Sequence, residues 1–473
     1  MNASTHDVAL IGAGFTGAAL AIQLARTLPA GARIALIGSP HETGRGLAYR
    51  TEKPEHLLNV RAERMSLFAD DPAHFVRWLE RQGLSGESGD GYVARHSYGR
   101  YVGETLNAAI GDTRQRVRVE VVEGTAVDVE RVDGIFSIRL ASGDQYRTPA
   151  AVLCTGNGRS DFPLREASIA DAARDFMIRQ PFIDYRMGTI AGDARILFVG
   201  TGLTMIDQVL SLDRAGHTGP MVAVSRHGFL PAAHLRQRTE PRAFDRPPGD
   251  LTLARLFASV VEAARSEVAR GSDWRAVIDG LRPQTQALWQ SLPAADQRRF
   301  FRHLESFWSV HRHRMAPVAA ERVTALIAEG RLTVLAGRVV GVRKTGSGVT
   351  AALRARGSRT IELQPFDWIV NCAGHGSGPA ADPLVARVLA RGLARADRNG
   401  RGLDVGADAR LVDRGGKPVP GFYAAGPLTA GRFLEITAVP DIRVQVAEMA
   451  HVLAGFLADA GKPPTLLRHG LRR

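Results

Sequence analysis

Short apolar runs recur along the chain in a repeating order. Val8–Ile11 and Ile34–Ile37 lie near the start, and Ile196–Val199 and Val222–Ser225 lie near the middle. Runs of this length without polar alternation predict strands buried on both faces of a parallel sheet. Each pair brackets a glycine turn and an apolar segment that reads as a helix. Two stretches have a different rhythm. Val117–Val122, Ala126–Arg131 and Ile135–Leu140 predict a strand meander, and Ala150–Thr155 leads from it into Gly156. Leu332–Leu335, Val339–Arg343, Val349–Arg354 and Trp368–Asn371 repeat that order and end near Gly374. Val-Leu-Cys154-Thr-Gly156 aligns with Val-Asn-Cys372-Ala-Gly374, which predicts a structural repeat.

Residues 250–330 carry helical periodicity, clearest over Leu253–Ala269, with Trp274, Trp289 and Trp308 among them. Asp71–Arg81 predicts a short helix, and another begins near Ile442. The segment from Gly38 to Tyr49 has three glycines and a proline and predicts an irregular loop. Gly421-Phe-Tyr-Ala-Ala-Gly426 predicts a further strand and turn that fold back on the first unit. The expected architecture is α/β. It has two dinucleotide-binding Rossmann-like domains, the second inserted in the first, with strand meanders and a helical segment. Residues 1–160 would begin the first domain, 161–365 would form the insert, and 366–473 would complete the first domain.

Composition narrows the field of functions. At 473 residues with 45% hydrophobic content, the chain suits a globular protein of two or three domains. Its two cysteines lie far apart, so neither a disulfide framework nor a local dithiol is expected. They read instead as small buried side chains at strand ends. The net charge of +13 comes from 57 Arg and 4 Lys. These are scattered and often sit beside acids, which argues against a nucleic-acid partner. The excess suits steering of anionic ligands. Ala18–Leu28 imitates part of a signal peptide but lacks a basic leader, so a cytoplasmic protein without a membrane partner is expected. His311 and His313 alternate as on a strand-like face, and no third ligand at diagnostic spacing predicts a metal site. Ser225 and Ser306 lack a nucleophile-elbow context.

The chemistry lies in the glycine turns. In Gly12-Ala-Gly14-Phe-Thr-Gly17, Gly12 permits the tight turn and Gly14 lets a pyrophosphate approach the backbone. Gly17 lets helix and sheet pack closely. The acid usually found after the second strand is missing. Glu42 is a substitute for holding the ribose, with Ser39 or loop backbone as equal alternatives. In Gly200-Thr-Gly202-Leu203-Thr204-Met205, Met205 replaces the third glycine. Arg226, after the next strand, suits a 2′-phosphate and favours NADPH over NADH, with Ser225 beside it.

The motifs Gly44-Arg45-Gly46-Leu47-Ala48-Tyr49, Leu57-Leu58-Asn59, Met65-Ser-Leu-Phe68, Arg100-Tyr101, Gly202–Asp207 and Glu435–Arg443 span nearly the whole chain. They closely resemble those of a bacterial family of FAD/NAD(P)-binding proteins, distant relatives of the flavin-dependent N-hydroxylating monooxygenases. The resemblance implies FAD at the first turn, approached by the Gly44–Tyr49 loop and the Asn59 region, with Gly426 and the following turn over the flavin. Pro427 stands where many flavoproteins carry an acid. The expected cofactor set further includes Leu58, Met65, Val127, Thr155, Gly156, Phe433 and Leu434. Asn59 is a candidate to hydrogen-bond the flavin or its oxygen adduct. Glu435 is a candidate to orient a substrate amine or, alternatively, to anchor a helix.

The expected activity is an NADPH-dependent flavin monooxygenase. It would use molecular oxygen, through a C4a-hydroperoxyflavin, on a small nitrogen- or sulfur-containing substrate. An NAD(P)H-dependent flavoprotein reductase without oxygen insertion, and a non-enzymatic FAD-binding sensor or assembly protein, are the alternatives.

Overall fold

The computed structural model describes residues 4–84, 91–111, 117–158, 160–374 and 378–460. Val8–Ile11 is fully buried and pairs in parallel with Arg33–Gly38 on one side and Ala150–Leu153 on the other. Around it the first sheet runs Arg410–Val412, Pro418–Ala424, Ala150–Leu153, Val8–Ile11, Arg33–Gly38, Arg118–Glu123. The helix Phe15–Thr27 covers one face and packs against the C-terminal helix Val439–Ala460. A four-stranded meander, with Ser4–Thr5 at its edge, covers the other. Apolar layers on both faces explain why these strands read as unbroken hydrophobic runs.

The second unit repeats the plan. Ile196–Val199 pairs in parallel with Met221–Ser225 and Trp368–Asn371. Its seven-stranded sheet runs Glu362–Phe366, Gly348–Ala355, Leu332–Thr345, Met221–Ser225, Ile196–Val199, Trp368–Asn371, Met177–Ile178. The predicted repeat is therefore spatial. In both units the strand before the glycine turn lies between the next strand and the strand that returns from the meander.

That pairing shifts an expected boundary. The expected boundary at residue 366 places Trp368–Asn371 in the completing part of the first domain, yet it is an inner strand of the second sheet. The intended loop from Gly38 to Tyr49 also contains a 3₁₀ turn, Pro40–Glu42, and a helical turn, Gly46–Tyr49. Its glycines take left-handed φ values at Gly44 and Gly46 and thereby fold the loop back rather than unravel it. Leu332–Leu335 and Val339–Arg343 form one strand, Leu332–Thr345, with an irregularity between Val339 and Gly341. The helix Arg95–Gly111 and the strands Gln145–Thr148 and Glu362–Phe366 carried too little periodicity to be read in advance.

The segment 253–328 is helical, and Leu253–Ala269 has the predicted bounds. Thr252 caps it through a hydrogen bond accepted from the Arg255 amide. His311 lies on the helix Glu305–Arg312 and His313 just beyond it, so they do not share a strand face. Among the described residues no cluster is fit to hold a metal ion, and no helix is long and apolar enough to cross a membrane.

Gly12 and Gly200 have φ of +113° and +114°. A Cβ at either would overlap the carbonyl oxygen of Cys154 or Cys372. We expect Gly12→Ala and Gly200→Ala each to cost at least ~2 kcal/mol, since both strain and overlap must be relieved. Urea unfolding of the two variants checks this, with Gly216→Ala as a left-handed glycine free of any such overlap.

Candidate functional site

Each glycine turn is built by the same hydrogen bonds. The Gly12 amide donates to the Ile37 carbonyl at 2.8 Å, and the Cys154 amide to the Ile11 carbonyl at 2.7 Å. The equivalents are Gly200 to Val224 at 2.8 Å and Cys372 to Val199 at 2.7 Å. Gly14 and Gly202 are the N-caps of the helices Phe15–Thr27 and Leu203–Arg214, and neither helix has a side-chain cap. The first-turn amides at both ends are thus left to an outside acceptor, the property that suits helix N-termini to phosphates.

The first turn is roofed by the loop. The Gly44 amide donates to the Ala13 carbonyl at 2.8 Å, and a Cβ on Gly14 would lie 3.4 Å from the Gly46 Cα. Gly17 sits so close to the Gly12 carbonyl that no side chain fits. Gly426 lies against Thr16, donates its amide to Gln445 Oε1 at 2.7 Å, and starts with Pro427 the turn Gly426–Thr429. Thr155 Oγ1, just past Ala150–Leu153, is buried without a hydrogen-bond partner among the described residues, and Gly156 follows with φ +72°. These features fit a dinucleotide: uncapped amides, glycines that side chains would block, and an orphaned hydroxyl.

The other expected residues divide. Arg45, Leu47 and Ala48 are exposed, whereas Tyr49 stacks its ring edgewise on Tyr98 at 4.8 Å. Burial pushes its phenol up to about 12. Glu42 ends the Pro40–Glu42 turn, and its side chain lies outside the described residues. Leu58 is core. Val127 occupies an irregularity in the meander between Ala126 and Asp128. Phe433 packs between the two apolar layers of the first domain.

In the second unit, Leu203 and Thr204 open the helix, and Met205 is wholly buried in its core where the first unit has Gly17. Ser225 Oγ accepts hydrogen bonds from Thr201 Oγ1 at 2.8 Å and the Gly228 amide at 3.1 Å, so it braces the turn. Arg226 donates to Ser306 Oγ at 3.3 Å and remains near the surface.

Asn59, Tyr49 and Met65 come together in a polar cavity of about 140 Å³ with Thr437, Ala438 and Val439 at the start of the C-terminal helix. The Asn59 carbonyl accepts a hydrogen bond from His234 Nε2 at 3.1 Å. Sequence reasoning missed the arginines of this cavity. Arg312 ends the helix Glu305–Arg312 and Arg314 lies just beyond it, and Arg282 comes from the turn Arg282–Gln284. Arg314 pairs with Asp279 and Arg275 with Asp273. Arg282 Nε and Nη1 are buried without hydrogen-bond partners among the described residues. Burial, then the neighbouring Arg312, lowers its pKa to about 10. No periodicity marks these residues, because they converge from separate turns.

Glu435 has φ +63°, rare for a residue with a side chain. Arg312 Nε lies 2.9 Å from its Oε2, and the Trp308 indole donates to its Oε1. Both carboxylate oxygens are therefore engaged by protein, the arrangement of the anchoring alternative.

The two units also meet directly. Arg95 Nη2 and Asp207 Oδ2 lie 2.9 Å apart and are buried, and His56 Nε2 bonds Ser211 Oγ at 2.8 Å. Burial raises the Asp207 carboxyl to about 6, and burial with Arg95 lowers His56 to about 4.

Residues 9–158 match the model of the FAD-NAD(P)-binding family. A sequence comparison with curated proteins finds no match. In structure the chain is similar to reduced ornithine hydroxylase PvdA from Pseudomonas aeruginosa. The TM-score is 0.64 at 16% identity, over 96% of this chain and 100% of that one. It is similar to L-lysine 6-monooxygenase from Pseudomonas syringae, with TM-score 0.64 and 19% identity over 95% and 99%. It is also similar to Kutzneria sp. 744 ornithine N-hydroxylase KtzI, with TM-score 0.63 and 16% identity over 95% and 99%.

The linkage between pH and stability at the contact between units has two opposing parts. Asp207 titrates higher in the fold than its ordinary 3.8, so its contribution falls as pH rises from about 4 to about 6. His56 titrates lower than its ordinary 6.5, so its contribution rises from about pH 4 to about 6.5. Relative to wild type, Asp207→Asn should gain stability as pH rises through this window and His56→Gln should lose it, read from urea midpoints. Residues 9–158 match the FAD-NAD(P)-binding family, and the chain as a whole shares the fold of these N-hydroxylating flavin monooxygenases.

Proposed function

We propose that the protein is an FAD- and NADPH-dependent monooxygenase acting on a small molecule through a nucleophilic nitrogen or sulfur. The observation that carries this reading is the pair of uncapped glycine turns, identically hydrogen-bonded, in two domains that share a buried contact. One resident and one visiting dinucleotide account for both. KtzI, with the same fold, was solved with reduced FAD, NADP+ and L-ornithine.

In this reading the first turn, the Gly44–Gly46 roof, Thr155 and the Gly426–Pro427 turn hold FAD. The FAD supplies hydride acceptance and oxygen activation. Gly200 lets the backbone turn, Gly202, Leu203 and Thr204 would present amides to the nicotinamide dinucleotide, and Arg226 would hold its 2′-phosphate as a charge-assisted donor. Asn59 orients the reacting groups in the polar cavity. Arg282 offers N–H donors to an anionic group there. Glu435 is a positioning residue that holds the helix bearing Trp308 and Arg312 against the cavity. The balanced reaction consumes NADPH, a proton, oxygen and substrate. It yields NADP+, water and a substrate with one added oxygen atom.

Anaerobic NADPH should bleach the visible flavin band, and ¹⁸O₂ should place one labelled atom in the product of an amine or thioether. Bleaching without label in any product would favour a reductase. A flavin that neither nicotinamide bleaches would favour a sensor. Arg226→Ala should raise KM for NADPH ~10- to 100-fold, the worth of a charged hydrogen bond, and leave KM for NADH unchanged. Steady-state assays with both nucleotides measure it.

A further inference from the structure

The helical segment encloses a cavity of about 590 Å³, separate from the polar one. One wall is the helix Leu253–Ala269, whose Leu256, Val260 and Ala264 face inward at helical spacing. Trp274, Trp289 and Trp308 line the other sides. Arg265 and His311 are the ionisable residues of its lining. Thr285, Trp289 and Trp308 turn their polar groups to protein: Thr285 Oγ1 donates to the Leu281 carbonyl at 3.0 Å, the Trp289 indole to the Gly431 carbonyl at 3.3 Å, and the Trp308 indole to Glu435. The cavity opens to solvent past Phe257, Val268 and Phe307, so apolar side chains meet water there, and contiguous exposed apolar surface of this kind marks a binding site or an interface. The volume lies in the range of small-molecule sites.

One wall belongs to the candidate flavin region. Leu434 lines the cavity, and its carbonyl accepts from Gln286 Nε2 at 2.6 Å. The adjacent Glu435 accepts from Trp308, which also lines the cavity. The helix Glu305–Arg312 thus presents Phe307, Trp308 and His311 to the apolar cavity and ends in Arg312 at the polar one. A charged amino acid placed among these side chains would lose hydration and meet only Arg265 and His311 as ionisable neighbours, against an otherwise apolar lining.

We propose that this cavity holds the apolar body of the substrate, so that the nitrogen or sulfur to be oxidised is carried on a large hydrophobic scaffold. The substrate class is then a lipophilic amine or thioether, and the Trp308–Glu435 contact couples its presence to the flavin site. This rests on the monooxygenase reading above, but occupancy of the cavity can be measured without turnover.

The probe is N-phenyl-1-naphthylamine, a neutral apolar amine whose fluorescence rises in apolar surroundings, titrated into the full protein with its flavin. Saturable one-site binding is expected, weakened at least tenfold in Ala264→Trp and in Val260→Trp. Each variant fills the cavity from the exposed helix, and an unchanged flavin spectrum and melting temperature verify its fold. Dodecylamine should displace the probe and shift the visible flavin band, and ornithine should do neither. Absence of saturable binding, binding untouched by both variants, equal displacement by ornithine, or displacement without a flavin shift would each overturn the proposal. So would a wild-type dimer that binds no probe and that Ala264→Trp splits, which would mark an interface between copies. If NADPH never bleaches the flavin while the probe still binds as described, the monooxygenase reading fails and the ligand class of the cavity stands.

Discussion

In each nucleotide unit the carbonyl oxygen of a cysteine occupies the place where a side chain on the turn's first glycine would have to go. That close approach lets the returning strand lie directly beside the strand that precedes the turn. It sets the register of Ala150–Leu153 against Val8–Ile11, and of Trp368–Asn371 against Ile196–Val199. The meander must therefore return at one fixed height on the sheet. Everything placed after that strand, including Thr155 and Gly156, inherits its position from this contact. Both cysteines are buried, and burial pushes both thiols well up, which suits them to packing and not to reaction.

The second constraint is the contact between the units. Arg95 begins a helix of the first domain, and Asp207 lies in the first turns of the second nucleotide helix. A buried ion pair adds little net stability, because two charges must leave water. Its value is geometric. It fixes the second glycine turn relative to the loop that carries His56 and Asn59, and hence the distance a visiting dinucleotide must span.

The helical segment plays a third part. The sequence marks it as helical and no further, because amphipathic periodicity reads the same for a pocket wall and a core face. In the fold its tryptophans brace the turn around Leu434 and Glu435. Glu435, which the sequence offers either to orient a substrate amine or to anchor a helix, takes a left-handed conformation and contacts both Trp308 and Arg312. Non-glycine residues in that region are costly, and such strain gathers where surrounding contacts over-determine the backbone.

The glycine turns, their flanking strands, the internal repeat and the helix Leu253–Ala269 were legible in the sequence, because each rests on local periodicity or on a residue type that local geometry demands. The place of Arg226, just past the strand Met221–Ser225, was legible for the same reason. The polar cavity, with Arg282, Arg312 and Arg314, was not. Nor were the Arg95–Asp207 contact, the closing of the Gly44–Gly46 loop over Gly14, or the membership of Trp368–Asn371 in the second sheet. These join residues tens to hundreds of positions apart through packing. Their partners are chosen by which surfaces meet when two sheets and a helical segment close together, and no spacing along the chain encodes that choice by itself. The sequence alone determined two glycine turns at helix N-termini; the tertiary structure decided what lies between them, because burial and pairing of charge depend on the whole enclosure.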